Sequence, residues 1–198
     1  MARQIAKDHD QKRAHLLRTA ARVFAEEGFA RASMAQVARA CEISKANIYH
    51  YYGSKDALLF DILDTYLSTL HARVCALDLE GLRPEEKLRR VVCETLLAYE
   101  GMDHEHKIQT EGIALLPPPQ QEVLKGYQRD MVRLMGAILR EIAPESFNDD
   151  AAKLKATTMS VFGMLNWFYM WNCGADRQAR LDYAELVATL TLNGIAAL

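Results

Sequence analysis

Apolar residues recur along this chain at helical spacing from one end to the other. Leu17, Ala20, Ala21 and Phe24 share one face of a first helix, which Gly28 ends as a left-handed cap. Ser33 stands three residues before Gln36, a capping-box spacing that starts a second helix at Met34, with Met34, Val37, Ala38 and Cys41 inward. Ser44 caps a third, short helix in which Ile48 and Tyr52 point to the core. A fourth begins near Ser54 and carries Leu59, Ile62, Leu63, Tyr66, Leu67 and Leu70 in one stripe. Pro84 followed by Glu85 and Glu86 opens a fifth, which buries Leu88, Val91, Val92, Leu96 and Tyr99. A shorter helix is expected from about Asp103 to Leu116, ended by Pro117, Pro118 and Pro119. Leu124, Tyr127, Met131, Leu134, Met135, Ile138 and Ile142 then mark a long helix up to Pro144. Asn148 is expected to open the next, which runs to about Trp171. The last is expected from Asp182 to about Ala196, with Asp182 and Glu185 at capping-box spacing. No strand pattern or internal repeat interrupts this, so the fold class is all-α.

The stretch from Ser33 to Lys55 reads as two short helices joined by a tight turn, followed at once by a third helix start. Such a pair lays one helix in the major groove of DNA while its neighbour braces against the backbone. The second short helix leaves Lys45, Ala46, Asn47, Tyr49, His50 and Tyr51 facing outward or at its edge, an unusual set for a face that merely meets solvent.

These residues also carry a family resemblance. Ile-Ser-x-x-x-Ile-Tyr-x-Tyr-Tyr-x-x-Lys-x-x-Leu, from Ile43 to Leu58, resembles the core of the TetR family of bacterial one-component regulators. Ala20, Ala21, Phe24, Gly28, Phe29 and Ser33 agree with that family's first helix, turn and second helix. Two positions depart from the family's pattern: Ala46, often Gly there, and Asn47, where Thr or Ser is common. Both bear on which bases are read. The resemblance implies a helix-turn-helix domain over residues 1–55 and an effector-binding and dimerisation domain over residues 56–198. It further implies a homodimer, whose last two long helices form a four-helix bundle with those of a second subunit. Two recognition helices must then land about 34–36 Å apart or at a multiple of that, on a palindromic DNA operator.

Within the reading helix, base recognition falls to Lys45, which favours guanine, and Asn47, with Gln36 as a further candidate; Asn and Gln pair well with adenine. Tyr49 offers its hydroxyl to a phosphate, and His50 and Tyr51 lie beside it. Lys55, opening the fourth helix, forms a phosphate site with the free N–H groups there, and Ser33 adds a backbone contact. These latter contacts fix position rather than sequence. Tyr52 reads equally as core. Arg3, Lys7, Lys12 and Arg13 supply a basic arm on an amino-terminal stretch expected to be loose.

Charge supports the same division. Residues 1–60 hold ten Lys or Arg against six Asp or Glu, whereas the whole chain has a net charge of −2, so a basic amino-terminal part precedes an acidic body. No apolar run is long enough to span a membrane and no signal-peptide pattern opens the chain, which leads us to expect a cytoplasmic protein. Cys41, Cys75, Cys93 and Cys173 are widely spaced and read as reduced thiols, buried or redox-sensing. Asp103-His104-Glu105-His106 holds metal-ligand types, but His at i and i+2 point to different sides of a helix. His71 and Cys75, one turn apart, read as packing. With no glycine-rich phosphate loop, no GxSxG and no HExxH, neither catalytic residues, a metal nor a cofactor are expected.

The second notable segment, Gly163 to Trp171, contains both tryptophans of the chain. Its Gly-Met-x-Asn-Trp-x-Tyr-x-Trp pattern resembles TetR-family regulators of fatty-acid, sterol-side-chain and phenylacetate breakdown, which answer to CoA thioesters. Met164, Asn166, Trp167, Met170 and Trp171 are one wall of the expected effector pocket, and Tyr99, Leu116, Tyr127 and Met131 the other. Met adapts to acyl chains of varied shape, and Asn166 offers a polar handle for a thioester carbonyl or pantetheine amide. Lys107, Arg129, Arg133 and Arg177 are candidates for the CoA phosphates. The same aromatic stripe reads equally well as dimer interface. Two rival functions remain: a multidrug sensor controlling an efflux pump, and a helical enzyme or binding module that does not bind DNA.

Overall fold

The computed structural model describes the backbone of residues 2–197 and the side chains of residues 11–197; among these, all regular structure is helical. Helix α1 runs Ala2–Glu27, so the amino-terminal stretch expected to be loose is continuous with the first helix; the side chains of Arg3 and Lys7 lie outside the described residues. Gly28 ends α1 at a φ of +80°, a conformation that costs a glycine little. Ser33 and Gln36 form the expected capping box on α2, Met34–Ala40.

α2 ends in a Schellman motif. The Ile43 N–H donates to the Ala38 carbonyl and the Glu42 N–H to that of Arg39, which turns the chain toward α3. Glu42 adopts a φ of +56° to make that turn. α3, Lys45–Tyr51, is capped by the Ser44 hydroxyl, and Ile48 is fully buried beneath it. α4, Lys55–Cys75, buries the whole expected stripe from Leu59 to Leu70. Each such leucine-sized side chain contributes about 1.5–3 kcal/mol relative to exposure.

Then follow α5, Pro84–Ala98, and α6, Asp103–Gly112. A single 3₁₀ turn, Ile113–Leu115, replaces the last part of the helix expected to reach Leu116. Gly112 packs where an added Cβ would lie 3.4 Å from Leu59 and from Leu63. α7 covers Pro118–Ile142, and a four-residue α8, Pro144–Phe147, stands where a loop was expected. α9 is Ala151–Trp171, capped by Asp150 and not by Asn148: the Asp150 carboxylate accepts the Lys153 N–H at 2.8 Å. α10 is Arg177–Ile195, starting well before Asp182. Asp176 caps it by accepting the Ala179 N–H, while Asp182 accepts from Gln178 and Glu185 pairs with Arg89 instead of closing a box.

The chain packs as two compact units, one comprising Met1–Tyr66 with His104–Leu124 and the other Leu67–Asp103 with Lys125–Leu198. The first two-thirds of the α4 stripe and most of α6 belong with the helix-turn-helix, joined by a 2.7 Å hydrogen bond between the Tyr66 hydroxyl and His106 Nδ1. In the second unit α10 lies along α5, with α9 against both. No described helix is long and apolar enough to cross a membrane.

Candidate nucleic-acid interface and effector region

α3 carries most of the residues expected to read DNA. Lys45, Ala46, Asn47, Tyr49 and His50 are exposed, and Tyr49 retains 46% of its accessible surface, so these side chains lie open on a helix rooted by Ile48. Tyr51 is half-buried and its ring meets His50 edge-on. Tyr52 is core: its ring is buried and its hydroxyl donates to Asp61 of α4. Burial first, then the hydrogen bond to Asp61 and last its charge push the Tyr52 pKa far up, so the phenol stays a donor. Arg13 of α1 pairs with the other oxygen of the same carboxylate. Burial works against the Arg13 charge, but Asp61 outweighs it and raises the pKa.

Three expected contact residues are committed elsewhere. The Lys55 ammonium donates to the carbonyls of Phe29, Ala30 and Ala32, at 2.6, 3.3 and 2.9 Å, and sits 4.4 Å from the centre of the Phe29 ring. An ammonium has three donors, and all three are used. Lys55 therefore clamps the loop between α1 and α2, its ammonium spent on carbonyls of this chain. The Gln36 amide oxygen accepts from both the Ser33 N–H and its hydroxyl, and the Ser33 oxygen accepts the Gln36 N–H. Both residues close the cap, which engages the Gln36 amide oxygen and the Ser33 hydroxyl.

In the second unit Tyr99 is buried and its hydroxyl donates to Asn166 Oδ1 at 2.7 Å; burial drives its pKa far above the ordinary phenol value. Met131 is buried, and Met164 and Tyr127 are half-buried. Leu116 is buried within the first unit. Trp167, Met170 and Trp171 instead face outward, with 61%, 52% and 57% of their surface exposed, so they line no interior chamber of this subunit. Trp171 stands edge-on to Phe168 and Tyr183, which are themselves stacked 4.6 Å apart. Met159 of α9 and Leu186 and Leu190 of α10 are exposed apolar residues as well. A concavity of about 460 Å³ between α5 and α10, lined by Leu82, Glu86, Arg89, Cys93, Leu181 and Ala184, involves none of the expected effector residues.

Among the candidate phosphate ligands, Arg133 pairs with Asp130, which also accepts from His71; Lys107 and Arg177 are exposed. Burial pushes up the thiol pKa values of Cys41, Cys75 and Cys93, which favours the protonated thiol. His104 is exposed and His106 buried, and no group of three or more metal-ligating side chains converges among the described residues.

Sequence reasoning missed two residues. Asp61 joins three helices at one carboxylate. Arg180 is 1% exposed, donates to the Ala175 and Leu96 carbonyls, pairs with Asp103 at 3.4 Å and lies over the Phe168 ring. Once α10 is known to start at Arg177, Arg180 falls in line with Ala184, Val187, Ala188 and Thr191 on the buried face, a signal hidden by the misplaced helix start.

Comparison with known proteins finds one amino-terminal and one carboxyl-terminal family match. The description "Bacterial regulatory proteins, tetR family" matches residues 16–62, and a tetracyclin repressor-like C-terminal domain matches residues 81–195. The HTH-type transcriptional repressor NicS of Pseudomonas putida is 26% identical over 96% of this chain and 95% of its own length. A TetR-family transcriptional regulator from Bordetella parapertussis superposes with a TM-score of 0.84 at 29% identity, covering 94% of this chain and 96% of that one. AibR, crystallised in complex with isovaleryl coenzyme A and operator DNA, has a TM-score of 0.75 at 23% identity, over 91% and 98% of the two chains, a likeness of fold.

Proposed function

From the premise that the chain belongs to the tetR family of bacterial regulatory proteins, and is thus a DNA-binding transcriptional regulator, we propose that it is a homodimeric repressor released from its operator by a CoA thioester. The observation that carries the DNA-reading part is the face of α3, where Lys45, Asn47, Tyr49 and His50 all stand exposed on a capped helix. Asn47 and Lys45 discriminate bases, while Tyr49, with His50 and Tyr51, holds the backbone. The apolar residues that α9 and α10 turn to solvent, Met159, Trp167, Met170, Leu186 and Leu190, suit burial against a second copy. In this reading Trp167 and Met170 serve the dimer, one of the two uses open to the aromatic stripe.

The effector then meets Tyr99, Met131, Met164 and Asn166. Buried Met and a Tyr–Asn hydrogen bond offer an adaptable apolar surface with one polar handle, the chemistry an acyl thioester requires. The complex of AibR with isovaleryl coenzyme A and operator DNA supports the same choice. Release requires that the thioester bind the DNA-free state more tightly, by several kcal/mol for a complete switch. α4, like α7, contributes backbone to both compact units, and it is the helix that follows α3, so it is one covalent path by which that preference reaches α3.

Fluorescence anisotropy of labelled DNA from upstream of the chain's own gene tests this. Titrated with protein, then with CoA thioesters of graded acyl length and phenylacetyl-CoA, the complex is expected to dissociate with one thioester but not with its free acid or with CoA. Specific binding that no thioester disturbs would sink the effector assignment and leave the regulator.

A further inference from the structure

α3 has only two turns, and its carboxyl end is not continued by regular structure: Tyr52 leaves the helix at φ −137° and ψ 116°. The orientation of that end rests on what holds Tyr52. Its ring is buried, and its hydroxyl reaches Asp61 Oδ2 on α4. Asp61 Oδ1 is taken by Arg13 of α1. One carboxylate thus fastens the end of the reading helix, the helix that leads from it, and the amino-terminal helix. Arg13, His50, Tyr51, Tyr52 and Asp61 line a concavity of about 330 Å³, which puts the junction directly beside the exposed reading face.

We propose that Asp61 is a positioning residue for sequence discrimination: it fixes the angle of α3 through the Tyr52 hydroxyl while Arg13 holds the carboxylate in place. The reasoning is geometric. Direct reading depends on side chains meeting base edges within hydrogen-bond tolerance, whereas phosphate contacts accept small rotations of the helix. A loosened α3 therefore loses preference for one sequence before it loses affinity for DNA in general. Each Asp61 oxygen has its own donor; Asp61→Asn removes the charge that holds Arg13, and its amide can meet Tyr52 only by donating to the hydroxyl oxygen, which weakens both arms. Tyr52→Phe breaks only the α3 arm and keeps the ring that fills the core.

The inference rests on the reading of α3 as a DNA-reading helix, and the test separates the two. A duplex selected from a random-sequence pool by the native protein is compared with a scrambled duplex, for the native chain, Tyr52→Phe, Asp61→Asn and the double variant. We expect each variant to lose about tenfold in the ratio of the two affinities, with scrambled-duplex affinity and its salt dependence unchanged. The double variant should lose no more than the worse single one. A ratio within twofold of native, or a parallel fall on both duplexes, would overturn the role of Asp61 while leaving the DNA-reading function standing. Failure of the native protein to select any sequence would overturn both. Should Asp61→Asn not fold, Tyr52→Phe alone decides the matter.

Discussion

Asn47 and Lys55 show how differently two polar residues of one motif are spent. Asn47 is exposed on α3 with its backbone N–H held by Ser44, so its side chain is available to a base. Asn47→Ala should alter preference at one base-pair position by about 1–3 kcal/mol, measured by competition between single-base operator variants. Tyr49→Phe should weaken all sequences alike. Lys55→Ala, by contrast, strips three loop carbonyls of their donor and should lower unfolding stability by about 1–3 kcal/mol in a denaturant titration. The salt slope of DNA binding should not change, since no phosphate contact is lost. Residue types and order were legible for all of these positions. Where the donors point was not, because Lys55, Ser33 and Gln36 find their partners only after the α1–α2 loop and the α2 cap have formed. Asp61 and Arg180 escaped for a related reason: both answer to groups distant in sequence.

At the scale of elements, spacing located every long helix, and caps decided the ends. Asn148 and Asp182 are credible caps by residue type, yet Asp150 and Asp176 hold those places, each with a backbone N–H three residues on. Periodicity is insensitive to the first turn of a helix, whereas hydrogen bonding there is specific. The α2–α3 turn offers a sharp test. Glu42 stands in the left-handed region at φ +56°, where a side chain costs about 1–2 kcal/mol, so Glu42→Gly should stabilise the protein by about 1 kcal/mol, seen as a raised thermal midpoint. α10 offers another. Arg180 is enclosed by carbonyls, Asp103 and Phe168, and Arg180→Ala should cost about 3–5 kcal/mol by taking a donor from two carbonyls and the charge partner from Asp103, which keeps the Gly174 N–H.

For the molecule as a whole, the proposed two-fold assembly through the exposed face of α9 and α10 would supply two reading helices. Both tryptophans lie in that region and both are more than half exposed in the single chain. Concentrating the protein should therefore shift tryptophan emission to the blue, and Trp167→Glu with Leu190→Glu should leave a monomer in sedimentation. The helix-turn-helix was legible because its function fixes residue types at short spacing. The effector region was not, since an apolar stripe is the same pattern whether it meets a ligand or a second subunit. The central claim, that a dimer reads DNA through α3, is tested most directly by letting the native protein select duplexes from a random-sequence pool and sequencing those retained. The account predicts an enriched palindrome whose half-sites lie about 10 base pairs apart, or a multiple of that. No enriched sequence, or an enriched site without two-fold symmetry, would contradict it.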